Sequence, residues 1–236
     1  MLSGSSSKKL LTPERSTVAT NLWFPNEYFL GAAAKGASKL WNYQVGIFSS
    51  SGANEFGKLD SGYFTLTSLG YDFSTISRFD SAKVRLDYVY NNPDYSGNVG
   101  TRDLSHILSL SSSLQHQKTG IRSGVTFGDG IEGQSDLFGL EVMPTYDLSD
   151  KWQFVCRYSY VYSPDDNGVR LNRYESKIIS GRSNEAHEGF VGINTYFYGH
   201  KLKWQNGVEY INTKDRANDG GKYNGWGVTS AFRMYF

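Results

Sequence analysis

The run "EGFVGINTYFYGHKLKWQNGVEYI", residues 188–211, alternates two kinds of side chain through two segments joined by a short turn. Val191, Ile193 and Phe197 put aliphatic and aromatic bulk on one face, whereas Asn194, Tyr196 and Tyr198 are polar or amphipathic. The second segment repeats the pattern, with Leu202, Trp204, Val208 and Tyr210 on one face and Lys201, Lys203, Gln205 and Glu209 on the other. A period of two means extended strands with chemically distinct faces, and the short turn makes the pair an antiparallel hairpin. One hairpin leaves open whether the apolar face meets a core or lipid.

The rest of the chain bears on that choice. No stretch approaches the roughly 18 consecutive apolar residues of a membrane helix, so a closed sheet is the one spanning structure left. Aromatic residues make up 15% of the 236 positions, with 17 Tyr and 26 Gly against 5 Pro, and the mean hydropathy is −0.47. A polar average with many aromatics fits a membrane barrel with a wet interior better than a soluble core. The net charge of +1 provides no bulk field for nucleic acid or acidic polymers. The single cysteine, Cys156, excludes an intramolecular disulfide and any cysteine-based metal cluster, and is expected as a small apolar residue on a strand. Segment 1–17 holds too few apolar residues for a secretory h-region, so no export signal is read in it.

Alternation predicts about eleven strands, over 28–36, 40–49, 62–73, 81–91, 105–116, 119–128, 137–148, 151–163, 187–198, 201–212 and 223–236. Their connections alternate short ("GASK", "QKT", "SD", "GH") with long ("SSGANEFGKLDSG", "NNPDYSGNVGTRDL", "GDGIEGQSDL", residues 163–186, "TKDRANDGGK"), with "STISRFDS" intermediate. Tight turns on one rim and long polar loops on the other are the pattern of outer-membrane barrels. The outward aromatics fall into two belts, Trp41, Phe73, Trp152, Phe197, Trp204 and Phe236 near the short turns and Tyr63, Tyr90, Tyr160, Tyr162, Tyr210 and Trp226 near the long loops. Two such girdles around an aliphatic band match the two interfaces of a bilayer. A soluble all-β domain with an aromatic core is the competing reading.

The final strand, "YNGWGVTSAFRMYF", places Trp226, Val228, Phe232, Met234 and Phe236 on one face. With its terminal Phe it resembles the signal that bacterial outer-membrane barrels present to their assembly machinery, here Phe232, Met234 and Phe236. The block "HEGFVGINTYFYGHKLKWQNGVEY" followed by "WGVTSAFRMYF" resembles the end of the phosphate-selective porin O and P family, and Glu14, Arg15 and Ser16 are similar to a Glu-Arg-Ser segment near that family's pore loop. The resemblance implies an antiparallel transmembrane β-barrel of roughly sixteen strands, of which about eleven are present. On this reading residues 1–27 are a pore-loop remnant leading into the barrel, residues 28–236 are barrel strands, and the chain is N-terminally truncated. A twelfth strand near 14–24 closing a smaller barrel is the alternative.

Inward-facing basic residues on this alternation are Lys35, Lys83, Arg85, Arg122, Lys151, Arg157, Lys201, Lys203 and Arg233, against Asp72, Asp87, Glu141, Asp147, Glu188 and Glu209. A basic lining favours anions, and Arg grips phosphate oxygens through its planar fork. The resemblance implies passive uptake of small anions such as phosphate through a trimeric assembly in the outer membrane. Charge pairing within the wall, Arg85 with Asp87 and Arg157 with Glu141, is the alternative role of these residues. A second functional reading is a structural or adhesive barrel acting through its long loops, with an occluded lumen.

Other motifs are set aside. "GDGIEG" (128–133) satisfies G-x-G-x-x-G but lies between two strands rather than in a strand-to-helix turn. His106, His116, His187 and His200 lack zinc-site spacing, and "SPDDNG" (163–168) lacks the calcium-loop pattern. No G-x-S-x-G elbow occurs; Ser109 or Ser111 beside His106 or His116 is the one hydrolytic pairing worth weighing. The chain is therefore expected to be no enzyme, with no cofactor, metal or nucleic-acid partner.

Overall fold

The computed structural model describes residues 29–50, 62–92, 103–171, 175–199 and 201–234. Segment 1–27, with Glu14, Arg15 and Ser16, and also His200 and Phe236, lie outside the described residues.

The alternating runs fold as eleven strands: β1 (Gly31–Ser38), β2 (Trp41–Ser49), β3 (Tyr63–Asp72), β4 (Ser81–Asn91), β5 (Leu104–His116), β6 (Thr119–Gly130), β7 (Leu137–Ser149), β8 (Trp152–Tyr162), β9 (Glu185–Tyr198), β10 (Leu202–Lys214) and β11 (Asn224–Met234). They form one sheet in chain order, every neighbouring pair antiparallel. The expected all-β antiparallel architecture is therefore the observed one. Short connections at 39–40, 117–118, 150–151 and 199–201 share one rim with the turn at 73–80, and the long loops share the other. Lys39, Gln117 and Gly199, at φ 39°, 51° and 51°, supply the left-handed backbone that lets three of these turns reverse so tightly. β1 and β11, the sheet's edges, run in the same direction, so an all-antiparallel closure takes an odd number of strands between them.

Register carries the alternation from strand to strand. Across β2 to β4, Tyr43, Leu69 and Leu86 stand in one row, and Leu110, Val125 and Leu140 continue it across β5 to β7. These side chains point away from the polar face, and Val191, Phe197, Leu110, Val45 and Phe127 are among those exposed. The opposite face is buried and polar: Ser68, Asp87, Ser109, Glu141, Arg157, Glu188, Gln205 and Glu209 lie there. One cavity touches residues of every strand from β5 to β11, so the sheet curls around its polar face. This inverts the sidedness of a soluble domain, whose interior is apolar.

At the long-loop end the inner wall turns apolar. Phe64, Leu66, Val89, Ile107, Leu137, Val161 and Ala186 form a buried cluster with Val169 and Leu171 of the β8–β9 loop, and Ile179 packs against it. That loop, 163–184, thus folds onto the inner wall, closed on itself by the bridge between Val169 and Ser183. Arg182 fastens it to the β6–β7 connection by donating to Gln134 Oε1 at 2.8 Å. Of "GDGIEG", Gly128, Asp129 and Gly130 end β6 and Ile131, Glu132 and Gly133 open its connection to β7, itself a strand.

Phe190 anchors the middle of the wall, clustered with Met143 and Val155. Its ring lies across Gly192 and Gly207, where any added Cβ would collide with it. Gly207→Ala is expected to lower folding stability by about 1–3 kcal/mol through overpacking. Gly189→Ala, at a site with nothing within 4 Å of the new methyl, is expected to be neutral or slightly stabilising. Urea midpoints of the folded chain in detergent micelles check both.

Candidate functional site

The polar inner wall is the candidate site, and register divides it by height. At mid-wall, Arg157 is 2% exposed and donates to Glu188, with Glu209 at 3.9 Å. The Arg157 guanidinium lies 5.0 Å from the centre of the Phe190 ring, which fixes its plane. Glu141 accepts from Ser159 Oγ at 3.3 Å in the adjoining row. On the same face, at β3 and β4, Asp87 accepts from Ser68 Oγ and, at 2.8 Å, from Arg85 Nε. Mid-wall therefore holds four carboxylates, Asp87, Glu141, Glu188 and Glu209, against two guanidinium groups, Arg85 and Arg157.

Toward the short-turn rim the balance reverses. A cavity of about 410 Å³ is lined by Arg122, Lys203 and Arg233, with Asp147 its one carboxylate. Lys203 and Arg233 face each other across β10 and β11, and the Lys203 ammonium lies 5.9 Å from the Tyr196 ring centre. A ladder of amides crosses the strands on the same wall. Gln205 Nε2 donates to Asn194 Oδ1 at 2.9 Å, Asn194 Nδ2 to Gln153 Oε1 at 3.0 Å, and Gln153 Nε2 to Asp147 Oδ1 at 2.8 Å. Tyr196 Oη donates to the same Gln153 oxygen at 2.9 Å. Side-chain amides, three cations and one carboxylate thus share this part of the wall.

The basic residues read from alternation do not form one continuous column. Lys83 pairs with Asp72 at 3.5 Å and Arg85 with Asp87 at 2.8 Å. Arg157 meets Glu188 and Glu209, while Glu141 is held by Ser159. Lys35 lies exposed on β1 opposite Gln44. Lys151 and Lys201 sit in turns, Lys201 at 5.8 Å from the Tyr198 ring centre. Only Arg122, Lys203 and Arg233 of the set line the cavity. Gln153, Asn194 and Gln205, the ladder residues, stood on the polar positions of their strands, but nothing in the alternation joined them.

The hydrolytic pairing is separated: Ser109 and Ser111 occupy inward positions of β5, whereas His106 and His116 occupy outward ones. His106 is engaged by Tyr88 Oη and His187 by Tyr158 Oη, each at 2.8 Å to Nδ1. Among the described residues no group of three or more potential ligands could hold a metal ion. Phe232 and Met234 are exposed on the outward face of β11, Phe232 with its ring centre 6.0 Å from that of Phe197.

No family model matches the chain, and no curated protein matches it. Among solved structures, the outer membrane channel DcaP of Acinetobacter baumannii is similar, with a TM-score of 0.49 and 12% identity, over 85% of this chain and 61% of that one. The chain thus spans about three fifths of the length of that channel.

Arg157 is the counter-charge for a buried group of carboxylates. Arg157→Ala is expected to cost about 3–5 kcal/mol of folding stability, since breaking a buried ion pair leaves uncompensated charge. Adding Glu188→Gln should restore part of the loss. Denaturant titration of the single and double variants measures both.

Proposed function

We propose that this chain forms part of an outer-membrane β-barrel channel of porin type, through which small anions, phosphate among them, diffuse passively. The observation that carries the reading is the inverted sidedness: a sheet whose outward side chains are exposed and apolar while its buried face is polar and charged. In water that arrangement exposes an apolar surface far larger than a monomer tolerates, and in a bilayer it is the stable one. The aromatic pairs support the same reading. Trp41 with Tyr71 and Phe197 with Phe232 lie toward the short-turn rim, and Phe127 with Phe138 and Tyr210 with Trp226 toward the long-loop rim.

The preference for anions rests on the cavity, where three cations face one carboxylate. Arg122, Lys203 and Arg233 lower the entry barrier for an anion, and the amide ladder replaces part of its hydration shell. The β8–β9 loop, lying on the inner wall at the opposite end, narrows the path. Lipid, small anions and the assembly machinery recognising Phe232, Met234 and Phe236 are the partners of this reading, with a trimer as the assembled form.

Planar-bilayer recording of the reconstituted chain tests it. A salt gradient should give a reversal potential of anion-selective sign, shifted toward cations in the Arg122→Gln, Lys203→Gln, Arg233→Gln triple variant. Val169→Asp, which breaks the buried contact holding the loop to the wall, should raise single-channel conductance. Absence of conductance in both the parent and the Val169→Asp chain would overturn the channel reading in favour of an occluded barrel.

A further inference from the structure

The cavity near the short-turn rim is larger than a simple ion requires. Its volume of about 410 Å³ falls within the roughly 300–1,000 Å³ of pockets that enclose organic ligands, and a phosphate ion alone fills a fraction of it. Its lining also divides by chemistry around the sheet. At the β10–β11 end Lys203 and Arg233 stand in register, with Tyr196 opposite Lys203 on β9.

At the β5–β7 end one row of the register runs Gln115, Gly120, Thr145, and all three line the cavity. A Cβ at Gly120 would stand 2.5 Å from both Gln115 Oε1 and Thr145 Oγ1, so the glycine leaves a recess on which two side-chain oxygens converge. Gln115 Nε2 donates to the Gln117 carbonyl at 2.9 Å, which holds the amide with its oxygen toward that recess. Between the two ends runs the amide ladder of Asn194 and Gln153, which finishes on Asp147. Asp147, Gln153 and Tyr196 also line a second cavity of about 370 Å³ among the turns, so the ladder stands between the rim and the deeper space.

These two ends ask for different groups on one solute. Arg122, Lys203 and Arg233 against Asp147 leave two positive charges among the described lining residues, the complement of a phosphate monoester, which carries about −1.5 to −2 at neutral pH. Gln115 Oε1 and the Asp147 carboxylate are acceptors: they repel phosphate oxygens and are satisfied by hydroxyl hydrogens. Inorganic phosphate leaves that end unaddressed, and a neutral sugar leaves the cations unaddressed. We propose that the cavity binds the phosphate monoester of a polyol, a sugar phosphate, with its phosphate at Lys203 and Arg233 and its hydroxyls along the ladder and at Gln115 and Thr145. The inference rests on the channel reading above and names the class of solute for which that channel is shaped.

The test is equilibrium dialysis of the full chain, folded in detergent micelles, against labelled glucose 6-phosphate with unlabelled competitors. Cyclohexylmethyl phosphate matches the size and charge of that ester without its ring hydroxyls. One hydrogen bond is worth about fivefold in binding, so the pair at Gln115 and Thr145 should make glucose 6-phosphate about thirtyfold the better competitor. Inorganic phosphate and glucose should each compete more weakly than glucose 6-phosphate. Thr145→Val should narrow the ratio of the two esters to about fivefold, and Gly120→Ala, whose methyl fills the recess, should bring it toward unity. Lys203→Gln with Arg233→Gln should weaken both esters together and leave the ratio in place. Misfolding lowers both affinities and does not narrow their ratio. Absence of glucose 6-phosphate binding, equal competition by the two esters, inorganic phosphate competing as strongly as glucose 6-phosphate, or a ratio unmoved by Thr145→Val and Gly120→Ala would overturn the proposal. Dialysis reads the site whether or not the chain conducts, so the channel reading stands or falls separately, in the bilayer recording.

Discussion

The fold depends on satisfying backbone hydrogen bonds between strands while every second side chain faces the other way. In hydrocarbon there is no water to accept an orphaned amide, so pairing must run unbroken from strand to strand. The ladder from β1 to β11 does this with register shifts at only three of its pairings, near Leu104, Ser149 and Leu202. Because the side-chain period is two, a slip of one residue would send the Arg157 cluster outward and the Leu86, Leu110 and Val125 row inward. The chemistry of both faces therefore fixes the register as firmly as the hydrogen bonds do.

Strand existence was legible in the sequence because sidedness is local: β4 begins at Ser81 and ends at Asn91, as alternation alone placed it. The ends that moved did so where tertiary contacts extend pairing past the apolar signal. β9 starts at Glu185 and β10 runs to Lys214, because these two residues form an ion pair across the strands. The partners of Arg157 were not legible. Alternation assigns a face, but only register brings Glu188 and Glu209 to Arg157. The inward course of the β8–β9 loop was equally hidden. Val169, Leu171 and Ile179 are spaced without a regular period in a polar stretch, and they find their apolar partners on strands distant in sequence.

The wall's charges also show why a tally of inward residues misstates the field of such a wall. Nine basic positions against six acidic ones read as a modest positive lining. The structure consumes much of that excess in pairs: Lys83 with Asp72, Arg85 with Asp87, and Arg157 among glutamates. A permeating ion responds to charge that is exposed at its own height, since a neutralised pair contributes only a dipole. Near the short turns the sign of the wall changes: Arg122, Arg233 and the buried Lys203 outnumber Asp147 among the residues lining the cavity.

That cavity does not act alone. All five connections on its rim carry an exposed basic residue: Lys39, Arg78, Lys118, Lys151 and Lys201. In salt at physiological strength a charge is felt over about 8 Å, so rim residues within that reach add to the field of the cavity mouth, and those farther off act on whatever surface lies beside them. Asp80 and Asp150 occupy the same turns and temper the effect without cancelling it. Mid-wall carboxylates lie farther along the strands, in the direction of the inward-folded loop. In the channel proposed above, an anion entering from the short-turn side would meet attraction first and resistance later, and a cation the reverse. Selectivity in such a wall is set by the order in which charges are met, which follows from where along each strand the sequence places them.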